Sequence, residues 1–146
     1  KYRLKGKKQG VAGNHGKERA KGMNYGKYFK ESEFVCSHTG NVAMQQPFLD
    51  QLNVLRETYS KPLRITSGYR DPTHPIEAKK KTPGAHTTGQ AVDLAVSRGD
   101  AYNLLVIALN MGFTGIGIAQ KGNGRFIHLD TLTASSTHPR PTIWSY

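Results

Sequence analysis

The sequence contains a single cysteine, Cys36, among its 146 residues. One thiol excludes an internal disulfide framework and a zinc module built from several cysteines. No apolar run approaches the roughly 18 residues of a membrane span, so no membrane span is predicted. The chain also shows no secretory signal pattern at its start. Because it does not begin with Met, we interpret it as a partial or processed form whose targeting signal is not visible.

Acidic residues are almost absent from the first thirty positions, where Glu18 stands among ten lysines and arginines. This segment carries nine of the eleven net positive charges of the chain. Residues 1–27 are also rich in glycine and poor in apolar side chains, so they cannot bury enough surface to offset the entropy of ordering. We predict a basic, extended arm over residues 1–27 and one folded domain over residues 28–146.

Three roles fit the predicted arm. The simplest role is that of a solubilising tail, and the more specific roles are contact with a polyanion or docking on a larger assembly. The arm contains no motif that reads or stacks on bases, so specific nucleic-acid recognition is not predicted.

Apolar periodicity predicts two helices and four strands in the folded domain. The helices are predicted over residues 45–59 and 99–111. The strands are predicted over residues 62–66, 91–96, 114–118 and 125–130. Residues 71–90, rich in Pro, Gly, Thr and Lys, are predicted to form a long loop, and a loop of this length is usually either functional or disordered. This order predicts an α+β fold, in which a small antiparallel sheet has its helices on one side.

Two of the predicted strands carry polar side chains that can point into one cleft if the two strands are neighbours in the sheet. Asp93 lies on the polar face of its strand, and His128 shares a face with Asp130 on another. His86 lies in the loop that leads to Asp93. Two imidazoles and one carboxylate suit Zn²⁺, and three protein ligands leave the fourth position open for water. Taken singly, each of these residues is more often structural, so their spacing alone leaves both interpretations open.

The combined pattern resembles that of the M15 zinc peptidases, from about Phe29 to Tyr146. This family comprises D-alanyl-D-alanine carboxypeptidases and cell-wall endopeptidases, and it shares its fold with the Hedgehog signalling domain. The matching segments are Glu33-Phe34-Val35-Cys36-Ser37, Ile65-Thr66-Ser67-Gly68-Tyr69-Arg70, His86 with Asp93, Gly115-Ile116-Gly117-Ile118, and Phe126-Ile127-His128-Leu129-Asp130, with Trp144 near the end.

The resemblance implies that His86, Asp93 and His128 bind zinc. It also implies that Arg70 stabilises the carbonyl oxygen or holds a substrate carboxylate, since its planar fork offers two parallel donors. The competing interpretation of Arg70 is a surface ion pair with Asp71 or Glu77. The expected substrate contacts are Arg70, Tyr69, Thr87 and Trp144.

The sequence departs from the family pattern at two positions. Gly84 stands where the family usually has Ser, two residues before the first His, so one substrate hydrogen bond is missing or comes from a nearby Thr. Arg125 stands where many members have the acid that serves as general base. Asp130 is the nearest acid on that strand face. We predict that Asp130 is either the catalytic base or the support of a metal-binding histidine, and the two roles have equal weight.

The implied function is zinc-dependent hydrolysis of an amide bond in peptidoglycan stem peptides or cross-links. No large insertion closes a pocket, which favours an endopeptidase, as in bacteriophage endolysins and virion-associated wall hydrolases, over a D-alanyl-D-alanine carboxypeptidase. A non-catalytic zinc domain that binds the wall, or has a structural role in a virion, is the alternative of another class, and Arg125 supports it.

The expected partner is peptidoglycan, with other virion or envelope proteins bound through the arm. The expected location is the bacterial periplasm or cell wall, or a bacteriophage virion.

Overall fold

The computed structural model describes residues 22–146, so most of the predicted arm lies outside the described residues. The described part of the chain contains three α-helices and one five-stranded sheet. The helices are α1 (Gln46–Tyr59), α2 (Pro75–Ala78) and α3 (Arg98–Met111). The strands are β1 (Arg64–Ser67), β2 (Ala91–Ala95), β3 (Gly115–Ala119), β4 (Phe126–Asp130) and β5 (Thr142–Ser145). The predicted α+β fold is confirmed.

One end of each long helix coincides with a residue that favours the start or the end of a helix. Pro47 lies in the first turn of α1, where its missing N–H costs no hydrogen bond. Helix α3 ends at Gly112, whose backbone has a φ of 86° and whose N–H bonds to carbonyls of the last turn. No helix within residues 22–146 is both long enough and apolar enough to cross a membrane.

The sheet has the strand order β1-β2-β4-β3-β5. Its first four strands pair antiparallel, as predicted, and β5 adds a parallel edge beside β3. Strand β5 was not predicted, because Pro139 and Pro141 just before it mark a loop and its four residues are too few to show a period. The predicted loop over residues 71–90 contains α2 and a short 3₁₀ helix, Ala85–Thr88.

Alternation along the strands separates an apolar face from a polar one. The apolar face packs with α1 and α3 into the core, which includes Val92, Leu94, Ile116, Ile127 and Leu129 from the sheet and Phe48, Leu52, Leu55, Leu104 and Ala108 from the helices. The residues between these strand positions point to the other face. Asp93 and His128 are among them, which places them away from the helices.

The residues just before Tyr28 pack on the folded domain. Met23 and Tyr25 are half-buried against the core, and the ring of Tyr25 lies 5.2 Å from that of Phe34. The side chain of Asn53 donates a hydrogen bond to the carbonyl of Tyr25 at 3.0 Å. These contacts place residues 23–27, which the sequence analysis assigned to the arm, on the surface of the domain.

Candidate metal centre and cleft

The register of the sheet brings two predicted metal ligands side by side. Strands β2 and β4 pair so that Asp93 lies directly opposite His128. His86 comes from the 3₁₀ helix that precedes β2, and its Nδ1 lies 2.8 Å from the carbonyl oxygen of Gly68, just after β1. All three side chains are buried. The fold therefore assembles the predicted cluster of His86, Asp93 and His128.

The donor atoms of these three residues form a nearly equilateral triangle. Nε2 of His86 lies 3.2 Å from Nδ1 of His128 and 3.2 Å from Oδ1 of Asp93. The third side, from Nδ1 of His128 to Oδ1 of Asp93, measures 3.1 Å. Tetrahedral ligands about 2.0 Å from a zinc ion are separated by about 3.3 Å. The triangle therefore matches one face of a zinc tetrahedron.

A hydrogen bond on the far side of each ring sets the tautomer of the neutral histidine. A carbonyl oxygen can only accept, so Nδ1 of His86 donates to Gly68 and its Nε2 presents a lone pair. Nε2 of His128 lies 2.7 Å from Oδ2 of Asp130 and donates to it, which leaves the lone pair on Nδ1. Two lone pairs and the carboxylate of Asp93 thus converge on one point, which is the donor set that a zinc ion requires.

The pKa values of Asp93 and His128 reflect the hydrogen bonds between carboxylates and imidazoles at this point. Burial alone would raise the pKa of Asp93, but its hydrogen bonds with His128 and His86 outweigh burial and hold that pKa well below its ordinary value. Burial alone would lower the pKa of His128, but the hydrogen bonds to Asp130 and Asp93 raise it. Asp93 is therefore ionised at neutral pH, and a metal ion competes with a proton for His128.

Asp130 lies behind His128 and does not line the cleft. Its side chain is fully buried, and both of its oxygens accept hydrogen bonds from Arg140, at 2.9 and 2.7 Å. Burial alone would raise the pKa of Asp130, but its bonds with His128 and Arg140 lower it to about 2. Of the two roles predicted for Asp130, this geometry favours support of His128 over direct proton transfer.

Arg70 lies beside the metal centre and also pairs with a buried acid. Its Nη1 lies 3.1 Å from Oε2 of Glu77, and its Nη2 lies 3.8 Å from Oδ2 of Asp93. Glu77 also accepts from the N–H of Gly84 and from Lys80. Burial alone would raise the pKa of Glu77, but these three partners outweigh it and hold that pKa below its ordinary value. The two interpretations of Arg70 are therefore compatible, because Glu77 holds it at the edge of the metal centre.

A cleft of about 690 Å³ opens over the three donor atoms. One wall is aromatic, and the ring of Trp144 lies 5.0 Å from that of His128. The opposite rim comes from the loop that carries α2 and from the 3₁₀ helix. The residues that line the cleft include Arg70, Lys80, His86, Asp93, Phe126, His128, His138, Arg140, Trp144 and Tyr146.

Two of the expected substrate contacts, Tyr69 and Thr87, do not line this cleft, whereas Arg70 and Trp144 do. Tyr69 packs against the core and donates its backbone N–H to the carbonyl of Phe34. The hydroxyl of Thr87 donates to the carbonyl of Gly84 at 2.7 Å and closes the 3₁₀ turn. Their proximity in sequence to Arg70 and His86 suggested a shared site, but consecutive side chains point in different directions.

Several residues at the site escaped the sequence analysis. Arg140 and Tyr146 lie in a stretch without a recognisable motif, and they reach the cleft because β5 joins the sheet edge. His138, in the same stretch, is one of the residues that the sequence offers as an alternative base if Asp130 does not serve. Glu77 was predicted only as a candidate ion-pair partner of Arg70, and the structure confirms that pair.

A family model described as Peptidase M15 matches residues 27–130, a range that includes all three predicted metal ligands. The chain belongs to this family, and the resemblance noted in the sequence is confirmed. No curated protein matches the chain significantly. Family membership, together with the cluster of His86, Asp93 and His128, supports a metallopeptidase.

Proposed function

We propose that this protein is a zinc-dependent endopeptidase that hydrolyses amide bonds in peptidoglycan stem peptides or cross-links. The observation that carries the proposal is the convergence of two imidazole lone pairs and one carboxylate at the base of a cleft. The spacing of these donors suits zinc. The peptidoglycan substrate follows from what the family acts on.

His86, Asp93 and His128 would hold the zinc ion. When bound, zinc polarises a scissile carbonyl and lowers the pKa of a bound water to about 7. Arg70 stabilises the negative charge that develops on the carbonyl oxygen, because its guanidinium lies at the edge of the donor triangle and is held there by Glu77. Trp144 and Phe126 provide an apolar wall against which a peptide chain packs.

Proton transfer requires a group that reaches the cleft. Within residues 22–146 the only carboxylate on the cleft lining is Asp93, which is already a ligand. His138 also lines the cleft, and its Nδ1 lies 3.1 Å from the hydroxyl of Thr137. In the tautomer whose Nδ1 donates to that hydroxyl, Nε2 of His138 accepts the proton of the attacking water and passes it to the leaving amine.

The cations of the cleft favour an endopeptidase over a carboxypeptidase. A carboxypeptidase needs a cation that is free to pair with the terminal carboxylate of its substrate. In the described part of the cleft, each Lys or Arg side chain already pairs with an internal acid: Arg70 and Lys80 with Glu77, and Arg140 with Asp130. An internal amide bond, which carries no charge, fits this lining better.

A non-catalytic zinc domain that binds the cell wall is the second candidate. It is favoured by the engagement of Asp130 with Arg140 and by Arg125 at the position where many relatives have an acid. In either case we place the protein at the bacterial cell wall or periplasm, or on a bacteriophage virion. We also propose that the basic N-terminal residues contact anionic wall polymers or other virion or envelope proteins.

The test is the digestion of defined cross-linked muropeptides, with product masses measured by mass spectrometry. We expect cleavage at an internal amide bond, at equal rates for substrates with free and amidated C-termini. Activity should disappear with a chelator and return with zinc. Release of terminal D-alanine from free C-termini only would show a carboxypeptidase, and wall binding without any product would show the non-catalytic domain.

The proposed role of His138 has a matched control in the same assay. His138→Gln should lower turnover by roughly 100- to 10,000-fold, the usual contribution of a general acid–base group. Zinc content should not change. His38→Gln removes an exposed histidine outside the cleft, and its turnover should match that of the unmodified protein. Unchanged turnover in His138→Gln would exclude this residue as the base.

A further inference from the structure

We propose that Arg140 is a positioning residue of the metal centre, which acts through Asp130 to hold His128 in the orientation and tautomer that present Nδ1 to the metal. This inference deepens the proposed function, because it rests on the assignment of His86, Asp93 and His128 as zinc ligands.

Three of the five N–H donors of Arg140 are engaged within the protein. Its Nε donates to Oδ1 of Asp130 at 2.9 Å, and its Nη2 donates to Oδ2 at 2.7 Å. Its Nη1 donates to the carbonyl of Pro139 at 2.8 Å. The side chain is 6% exposed. Although Arg140 lines the cleft, two of these three bonds go to Asp130, the residue that contacts His128.

The two-point contact fixes the rotation of the Asp130 carboxylate. A bidentate pair of parallel hydrogen bonds holds a carboxylate in the plane of the guanidinium, whereas a single bond lets it turn. In this plane Oδ2 of Asp130 lies 2.7 Å from Nε2 of His128. The N–H of Leu132 adds a bond to Oδ1 at 3.3 Å. Arg140 therefore sets the acceptor that holds the proton of His128 on the nitrogen away from the metal.

Trp144 contacts both ends of this chain of residues. The guanidinium carbon of Arg140 lies 5.3 Å from the centre of the Trp144 ring, within the range of a cation–π contact. The same ring lies 5.0 Å from the ring of His128, at an angle of 52°. His128 is thus held by a hydrogen bond to Asp130 and by a tilted ring contact with Trp144. Arg140 contacts both of these supports.

A purely structural ion pair between Arg140 and Asp130 is the competing explanation. Such a pair would stabilise the fold without changing the metal centre. The two explanations differ in zinc affinity, which a positioning role lowers and a purely structural role leaves unchanged once the variant is folded. They also differ in the visible spectrum of the cobalt-substituted protein, which reports the geometry around the metal.

The experiment measures zinc affinity by competition with a chromophoric chelator, in the full chain and its variants. Arg140→Gln should weaken zinc binding by about 10- to 100-fold, the usual effect of losing a residue that orients a metal ligand. Arg140→Lys should lose less, because lysine keeps the charge but not the two-point fork. Arg125→Gln is the matched control, since Arg125 bonds to Gly122 outside the cleft, and its zinc affinity should not change.

A double-mutant cycle tests whether Arg140 acts through Asp130. In the Asp130→Asn background, Arg140→Gln should weaken zinc binding little further, because the acceptor that it positions has already changed. Independent, additive losses would overturn the proposal. So would an unchanged zinc affinity and cobalt spectrum in Arg140→Gln.

If Arg140→Gln does not fold, the cycle is run with Arg140→Lys, and additive losses with Asp130→Asn again overturn the positioning role.

Two outcomes distinguish this inference from the proposed function. Tight zinc binding without peptidase activity would contradict the proposed function alone. Tight zinc binding that does not depend on Arg140 would contradict this inference alone.

Discussion

At the scale of single residues, the chemistry of the site depends on the second nitrogen of each histidine. Nδ1 of His86 donates to a backbone carbonyl, which is fixed in place by the fold. Nε2 of His128 donates to a side chain, Asp130, whose own position depends on Arg140. The ligand that β4 supplies is therefore the one that a single substitution can most easily disturb.

Asp130→Asn tests which role this acid has. If Asp130 supports His128, the variant should bind zinc about 10- to 100-fold more weakly, because the amide is a poorer acceptor and pairs poorly with Arg140. Turnover should then return as zinc is raised to saturation. Zinc affinity and turnover at saturating zinc are measured together. Normal zinc affinity with turnover lowered by roughly 100- to 10,000-fold would instead identify Asp130 as the general base.

The cluster of His86, Asp93 and His128 that we propose as the zinc site could be predicted from the sequence, and the partners that orient its histidines could not. Alternation along a strand placed Asp93 and His128 on polar faces, and the family resemblance joined them to His86. Alternation also placed Asp130 on the same strand face as His128. Alternation does not determine whether the side chain of Asp130 reaches the cleft or contacts another residue. Arg140 decides this point, and its contact depends on how β5 docks on the sheet.

At the scale of elements, β3 has glycine at the two positions that face the site, Gly115 and Gly117. A Cβ atom on Gly115 would lie 2.2 Å from Oδ1 of Asp130. A Cβ atom on Gly117 would lie 2.7 Å from Nε1 of Trp144. Such distances are far below van der Waals contact. The alternating glycines of β3 therefore make room for the two side chains that support His128.

Gly115→Ala should displace the carboxylate of Asp130 from His128 and Arg140. We expect at least a roughly 10-fold loss of zinc affinity, the lower end of the effect of disturbing a residue that orients a metal ligand. Thermal stability should fall as well, because Asp130 is fully buried. Chelator competition and thermal unfolding measure the two effects. Gly99→Ala is the control, since a Cβ there meets nothing within 4 Å, and both quantities should be nearly unchanged.

The predicted elements that matched the structure have a clear apolar period, and the others do not. Helices α1 and α3 agree closely with the predicted ranges because each presents an apolar stripe to the sheet. Strand β5 has no such signal, since half of its residues face the cleft and it lies at the edge. Its position depends on pairing with β3, which is a long-range contact.

At the scale of the whole molecule, the start of the packed domain can be tested by two truncations. Removing residues 1–27 deletes Met23 and Tyr25, whereas removing residues 1–21 leaves both in place. We expect the shorter chain, 28–146, to be less stable than 22–146 by about 2 kcal/mol, because two half-buried apolar side chains are lost. Denaturant unfolding of the two chains measures the difference. Equal stability would place the boundary at Tyr28, as the sequence alone indicated.

The most direct measurement of the metal centre is the zinc content of the purified chain, determined by elemental analysis without exposure to chelators. We expect one zinc ion per chain. His128→Ala should contain almost none, and it should also be less stable, since metal binding is coupled to folding. His38→Ala, altered outside the cleft, should keep one. A chain without stoichiometric zinc, or a His128→Ala variant that retains it, would contradict the assignment of His86, Asp93 and His128 as the zinc site.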